Sequence, residues 1–172
     1  MKRVLSILGF FVLMTAGAAQ AQTHEGFWVG FGLGAGSLGI DGGTGRDTGV
    51  IGYLKLGGTI NERFLLGMES NAWTKDETGV RVTHTNTSAV AYFYPSAASG
   101  LFLKGGLGWS RLSVEVLGIS VAENSGGAVF GVGYDARVGD NWSITPVLNF
   151  NGGTFNGGNT NISEIGVGVS WH

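Results

Sequence analysis

The sequence predicts an all-β protein, an eight-stranded antiparallel up-and-down β-barrel that spans a membrane. Glycine supplies 33 of the 172 residues, and charged residues make up only 13%, about half of the ~25% that is usual. Apolar residues recur with period two from residue 27 onward, which is typical of strands, and glycine at this density destabilises helices. No apolar run after the first twenty residues approaches the ~18 residues that a spanning helix needs, so the sequence predicts that strands cross the membrane.

The first 21 residues have the pattern of an export signal. Lys2 and Arg3 form a positive start, residues 4–18 are apolar, and Ala19-Gln20-Ala21 is a small-residue cleavage site. A membrane anchor is the alternative, which the short apolar run disfavours. We therefore expect a signal peptide over 1–21 and one outer-membrane barrel domain over 22–172.

Eight strands are expected, with tight turns on one side and longer connections on the other. The expected strands cover 26–38, 49–60, 63–75, 80–94, 101–116, 127–138, 142–151 and 161–171. The short turns are 61–63, 95–100 and 139–141, and the longer connections are 40–48, 76–79, 117–126 and 152–160. Strands of this length cross a bilayer when they are tilted. Short periplasmic turns and longer outer loops are typical of outer-membrane barrels.

The strand register favours a lipid-facing exterior. A hairpin centred on Glu62 pairs Lys55 with Glu69 on one face and places apolar residues on the other. The pairs on the apolar face of this hairpin are Leu54–Ser70, Leu56–Met68 and Ile60–Phe64. A second hairpin, centred on Asp140, places the following pairs on its apolar face: Phe130–Phe150, Val132–Leu148, Tyr134–Pro146, Ala136–Ile144 and Val138–Trp142. Glycines such as Gly30 and Gly32 share the other face with the charges, as the narrow interior of an eight-stranded barrel requires. A water-soluble barrel has the opposite arrangement.

Aromatic residues mark the two predicted membrane interfaces. Five of them lie at strand ends beside short turns or termini and form the expected periplasmic aromatic belt: Phe27, Phe64, Phe93, Trp142 and Trp171. Trp73, Trp109 and Phe150 are candidates for the outer belt. Ordinary strand propensity is the alternative explanation, but aromatic girdles at both interfaces are expected of such barrels.

Two segments resemble a known family. Residues 131–150 (GVGYDARVGDNWSITPVLNF) and 102–109 (FLKGGLGW) resemble the small eight-stranded outer-membrane β-barrels of Gram-negative bacteria, which are related to the transmembrane domain of outer membrane protein A and to outer membrane protein X. The resemblance extends over about the whole mature chain. It implies a location in the cell outer membrane and contact with outer-membrane lipids and lipopolysaccharide.

The resemblance also implies a final strand that the barrel assembly machinery recognises. Its alternating residues are Ile165, Val167, Val169 and Trp171. His172 follows the tryptophan, whereas the family usually ends on the aromatic residue.

Six charged residues are candidates for an ionic network in the lumen: Lys55, Glu69, Lys104, Asp135, Arg137 and Glu164. Lys55–Glu69 is the best-defined expected pair and Lys104–Asp135 the second. Such a network either gates a narrow pore or neutralises charges that must be paired once they are buried. We favour neutralisation because the interior is small.

Catalytic, cofactor and metal sites are not expected. The chain has no cysteine, which excludes thiolate chemistry, and its scattered basic residues indicate no nucleic-acid partner. His84, Asn86 and Ser88 share one strand face but lack the spacing of lipid A deacylases, so a polar lumen wall is expected. The glycines at 34, 36 and 39 are not followed by a helix, as a dinucleotide site requires. The calcium-repeat-like segment 42–47 occurs once, whereas such repeats work stacked.

The sequence therefore predicts a monomeric, non-enzymatic outer-membrane barrel with a structural or surface-interaction role through the loops 40–48, 117–126 and 152–160, at most a narrow porin-like channel. A lipid-modifying enzyme and a soluble periplasmic lipocalin-like binding barrel are the alternatives.

Overall fold

The computed structural model describes residues 26–41, 43, 45–156 and 158–172. The predicted signal peptide, 1–21, lies outside the described residues. The strands are β1 (Phe27–Ile40), β2 (Arg46–Asn61), β3 (Phe64–Glu77), β4 (Val80–Phe93), β5 (Leu101–Val116), β6 (Ile119–Tyr134), β7 (Ala136–Arg137), β8 (Trp142–Phe155) and β9 (Gly158–Trp171). No helix in the described ranges is long and apolar enough to cross a membrane.

The strands close into an antiparallel barrel. From β1 to β6 each strand pairs with the next one in sequence, β6 and β7 both pair with β8, β8 pairs with β9, and β1 pairs with β9 to close the sheet. The two residues of β7 continue β6 beyond Asp135, so the barrel wall has eight strands. The break falls opposite Pro146, which has no N–H to donate to the ladder. The predicted eight-stranded fold is confirmed.

The predicted lipid-facing exterior is confirmed. On β2 the side chain of Leu54 is 50% exposed, whereas its neighbour Lys55 is 5% exposed. Leu56 and Met68 also point outward, and Glu69 is buried. Apolar side chains on the outside and charged ones inside are the arrangement that a hydrocarbon surrounding favours.

The predicted register is confirmed in both hairpins, with one local correction. Lys55 lies opposite Glu69, and Phe130 lies opposite Phe150. The predicted Ile60–Phe64 pair is wrong, because a bulge between Thr59 and Asn61 places Asn61 opposite Phe64. The side chain of Asn61 accepts hydrogen bonds from the backbone N–H groups of Arg63 and Phe64, so the tight turn accommodates the extra residue.

The long connections expected at 117–126 and 152–160 are wrong, because most of these residues are strand. β5 and β6 are joined by Leu117 and Gly118 alone, with φ values of 51° and 81°, the left-handed conformation of a two-residue hairpin turn. β8 continues to Phe155 and β9 begins at Gly158. The connection expected over 40–48 is also shorter than expected, since β1 ends at Ile40 and β2 begins at Arg46.

We call the end of the barrel with the C-terminus and the turns at 61–63 and 139–141 the terminal end, and the opposite end the distal end.

Candidate functional site

The lumen is filled because glycines on the wall leave room for large side chains. A Cβ atom built on Gly30 would lie 2.6 Å from Cε of Lys55, and one on Gly32 would overlap the ring of Tyr53. Large aromatic side chains occupy this space, and Trp28, Tyr92 and Phe102 are almost fully buried there. This packing leaves a solid interior of the kind expected at eight strands.

Glu69 is the centre of the ionic network. Its carboxylate forms a buried salt bridge with Nζ of Lys104 and accepts hydrogen bonds from the hydroxyl of Tyr92 and from Nδ2 of Asn71, the latter at 2.9 Å. Three oriented groups, one from each of three strands, thus satisfy one buried charge, which otherwise would cost several kcal/mol.

The structure pairs the predicted charges differently. Lys55 lies opposite Glu69 in the register, but its ammonium is 5.5 Å from the ring centroids of Tyr92 and Phe102 and 5.9 Å from that of Trp28. These distances are those of cation–π contacts. Glu69 is bridged by Lys104, so the predicted Lys55–Glu69 and Lys104–Asp135 pairs are corrected. In a narrow lumen, long side chains from non-adjacent strands reach one another.

Asp135 lies at the terminal end of the lumen. It accepts a hydrogen bond of 2.6 Å from the hydroxyl of Tyr94 and another from Thr145. Nε2 of the buried His172 is 3.9 Å from its Oδ2 atom. His172 was not expected to belong to the lumen network; it follows the outward-facing Trp171, and closure of the barrel brings it beside Asp135.

The remaining two predicted network members form no salt bridge or hydrogen bond with Glu69 in the described part of the chain. Glu164 is buried and accepts a 3.2 Å hydrogen bond from Nδ2 of Asn149. Arg137 is half-buried at the terminal end, and its Nε atom has no hydrogen-bond acceptor among the described residues.

The distal half of the lumen combines buried apolar side chains, such as Ile51 and Trp73, with uncharged polar ones. Ser88 donates to Asn86 at 2.7 Å, Asn86 donates to Ser110 at 2.9 Å, and His84 is 3.1 Å from the hydroxyl of Thr160. His84, Asn86 and Ser88 therefore line the lumen wall. The described ranges contain no group of three or more residues placed to hold a metal ion.

The outward face carries aromatic side chains near both ends of the apolar belt. Phe27, Phe64, Phe93, Trp142 and Trp171 lie on it at the terminal end, and the rings of Phe64 and Phe93 are 5.0 Å apart. Trp109 and Phe150 point outward nearer the distal end. Trp73 was expected there too, but this is wrong: it points inward and donates to the carbonyl of Gly36. It has the same strand parity as Glu69, which already indicates the lumen.

A polarity reversal in β5 and β6 was missed by sequence reasoning. We call residues 111–124 the distal ribbon. Cross-strand pairs on its lumen-side face include Val114–Val121 and Val116–Ile119, and those on its outer face include Arg111–Asn124 and Glu115–Ser120. In β5 the apolar residues thus change from odd positions up to Trp109 to even positions after Ser110, a signal that the sequence does contain.

The distal ribbon borders an apolar groove of about 550 Å³. Its lining residues are Leu112, Val114, Val116, Leu117, Ile119, Val121, Ala122 and Glu123. Ile119 is 75% exposed and Val121 is 72% exposed. Contiguous exposed apolar surface of this kind marks interaction or ligand-binding sites.

One edge of the ribbon is an open strand edge. Pairing of β6 with β8 begins at Gly127–Gly153 and continues toward the terminal end. In the described part of the chain, residues 119–126 have no strand neighbour on that side. A side-chain bond links the two strands there instead, because Glu123 accepts from the backbone N–H of Asn156 at 2.9 Å.

A closed barrel with an apolar exterior and a polar, charged lumen defines an integral outer-membrane β-barrel protein. The family described as outer membrane protein beta-barrel domain matches residues 6–172. The chain belongs to this family, and its location is the cell outer membrane.

Several solved structures share the fold of this chain. Neisserial surface protein A superposes with a TM-score of 0.66 at 20% identity, over 86% of this chain and 97% of that one. Ail of Yersinia pestis, in complex with the heparin analogue sucrose octasulfate, gives 0.60 at 15% identity over 86% and 99%. The N-terminal β-barrel domain of Pseudomonas aeruginosa OprF gives 0.53 at 15% identity over 86% and 98%. No curated protein sequence matches the chain significantly.

Proposed function

We propose that this barrel is a non-enzymatic surface-interaction protein that presents the distal ribbon to the cell exterior. The observation that carries the proposal is the reversal of polarity at Ser110. Toward the terminal end, outward residues such as Leu107 are apolar and suit lipid; beyond it, the outer face carries Arg111 and Glu115, which suit water. The distal ribbon therefore stands clear of the hydrocarbon, with the termini on the periplasmic side.

The chemistry of the ribbon favours an extended polypeptide as its partner. Its lumen-side face offers alternating aliphatic side chains, and the open β6 edge offers unpaired backbone donors and acceptors. An added strand uses both, because main-chain hydrogen bonds supply affinity and alternate side chains supply specificity. Interaction with a partner was expected of the loops 117–126 and 152–160. In this proposal the distal ribbon and the neighbouring hairpin of β8 and β9 have that role.

The lumen supports the structure rather than conduction or catalysis. Trp28, Tyr92 and Phe102 pack around Lys55, and Glu69 is fully engaged. His84 contacts a threonine hydroxyl and the ring of Phe155, and among the described residues it has no recorded contact with the acid or activated nucleophile that catalysis requires. We propose a monomer without cofactor, whose outward-facing Ile165, Val167, Val169 and Trp171 are recognised by the barrel assembly machinery.

Cysteine labelling tests the orientation, because the native chain contains no cysteine. We expect Val121→Cys to react on intact cells with a membrane-impermeant maleimide. The matched control, Asn141→Cys in a turn at the terminal end, reacts only after the outer membrane is opened. The opposite pattern would place the ribbon in the periplasm and overturn the proposal.

Peptide binding tests the partner class. The probe is a fluorescent peptide of alternating valine and threonine, added to the protein in lipid nanodiscs. We expect Ile119→Ser with Val121→Ser to weaken binding about tenfold or more, given the aliphatic surface removed. Ser113→Ala on the outer face is the control and leaves binding unchanged. Absent binding, or equal affinity in all three proteins, argues against the ribbon as the interaction element.

A further inference from the structure

The outward surface of β2, β1 and β9 changes from apolar to polar in ordered rows near the distal end. The register aligns three residues in each row. From the distal end the rows are Arg46–Gly39–Asn161, Thr48–Ser37–Ser163 and Val50–Ala35–Ile165. Successive rows are about 7 Å apart along the strands, so a guanidinium and three hydroxyls border the apolar belt.

The side chain of Arg46 lies flat across these strands. Its Nε donates to Oγ of Ser37 at 3.0 Å, Nη1 donates to Oδ1 of Asn161, and Nη2 donates to Oγ of Ser163 at 3.4 Å and to the carbonyls of Ser37 and Asn161. Gly39 makes this position possible, because a Cβ atom there would lie 2.7 Å from Nη1. The guanidinium is therefore held in place on the lipid-facing surface.

The charge of Arg46 has no counter-ion within the described ranges, since every acceptor that it contacts is neutral. Arg81 provides the contrast. It also faces outward near the distal end, but its Nη2 atom forms a 2.7 Å salt bridge with Asp76. A fixed, uncompensated cation beside an apolar surface favours an anion supplied from outside.

We propose that Arg46, with the hydroxyls of Ser37, Thr48 and Ser163, binds a phosphate group of an outer-leaflet glycolipid. The hydroxyls of Ser37 and Ser163, which accept from the guanidinium, keep their own hydrogens for a further acceptor. Thr48 adds a third hydroxyl in the same row, and the fixed charge of Arg46 attracts the phosphate. Val50, Ala35 and Ile165, one row below, contact the acyl chains of the same lipid. The inference depends on the orientation given under the proposed function, in which the distal end meets the outer leaflet.

Native mass spectrometry of the folded protein in detergent tests this site. The probes are bisphosphorylated lipid A, the same lipid with its phosphates removed, and inorganic phosphate as a competitor. We expect the wild type to retain the bisphosphorylated lipid and Arg46→Gln to retain it about tenfold less, the loss of one charge-assisted contact. Arg81→Gln, the matched control, retains it as the wild type does.

Two further variants keep the test decisive if Arg46→Gln folds poorly. Arg46→Lys keeps the charge without the flat contact across three strands. Ser37→Ala combined with Thr48→Ala removes two hydroxyl donors. Each of these variants is expected to retain the bisphosphorylated lipid severalfold less than the wild type. Equal retention of the phosphorylated and dephosphorylated lipids, or equal retention by all variants, overturns the proposal. Displacement of the lipid by inorganic phosphate identifies a free-anion site instead. If the barrel has the opposite orientation in the membrane, the labelling of Val121→Cys shows this independently of lipid binding.

Discussion

Lys104, rather than the directly opposite Lys55, forms the salt bridge with Glu69. The bridge connects β5 to β3 across the intervening β4, with both side chains fully buried. Lys55 instead packs against aromatic rings. The two lysines therefore have different energetic roles although both are lumen cations.

Removal of the Lys104 ammonium is expected to be strongly destabilising. Lys104→Met leaves the buried Glu69 carboxylate without its counter-ion, a loss of about 3–5 kcal/mol. Unfolding in urea from lipid vesicles, followed by tryptophan fluorescence, gives the free energy of unfolding. Adding Glu69→Gln to Lys104→Met is expected to restore part of the loss. Equal stability of Lys104→Met and wild type would contradict this assignment.

Conductance distinguishes a structural network from a gate. If the network gates a pore, Lys55→Ala raises the single-channel current in planar bilayers. We expect negligible conductance in both proteins, because Trp28, Tyr92 and Phe102 still fill the lumen after the change. A reproducible increase for Lys55→Ala would favour the gating alternative.

The lumen glycines are expected to resist substitution, whereas outward ones tolerate it. Gly32→Ala overlaps the Tyr53 ring and is expected to cost about 1–3 kcal/mol, as overpacking does. Gly52→Ala is the control, since its Cβ meets only Leu33 Cδ2 at 3.6 Å. The folded fraction is read from the mobility of unheated samples on gels. Equal effects of the two changes would show that lumen space is not limiting.

If the apolar face meets lipid, the destabilisation caused by a charged substitution depends on its depth in the membrane. Leu54 lies in the middle of the outward face of β2, and Ile60 lies at its terminal end. Leu54→Arg is expected to reduce the free energy of unfolding in lipid vesicles by about 2–4 kcal/mol, and Ile60→Arg by about 0–1 kcal/mol. If both cost the same, the apolar belt does not contact hydrocarbon as described.

The sequence by itself determined the barrel, most of its strand register and which face of the membrane-spanning strands meets lipid. These properties are local, because period-two alternation and tight turns select the same pairing, as they do for Lys55 opposite Glu69. The ends of the strands were harder to predict from the sequence. Residues 117–126 were expected to form a longer connection, but a left-handed Leu117 followed by Gly118 closes a two-residue turn there, and leucine is an unusual residue in that conformation.

The tertiary structure alone decided which charges meet. The curvature of the closed barrel brings inward side chains of β3 and β5, which are two strands apart, close enough for Lys104 to reach Glu69, and closure places His172 beside Asp135. It also brings β9 against β1, so that Arg46 contacts Asn161 although 115 positions separate them in the chain. Alternation along one strand specifies a face, but contacts across a closed sheet depend on its curvature and on the reach of each side chain.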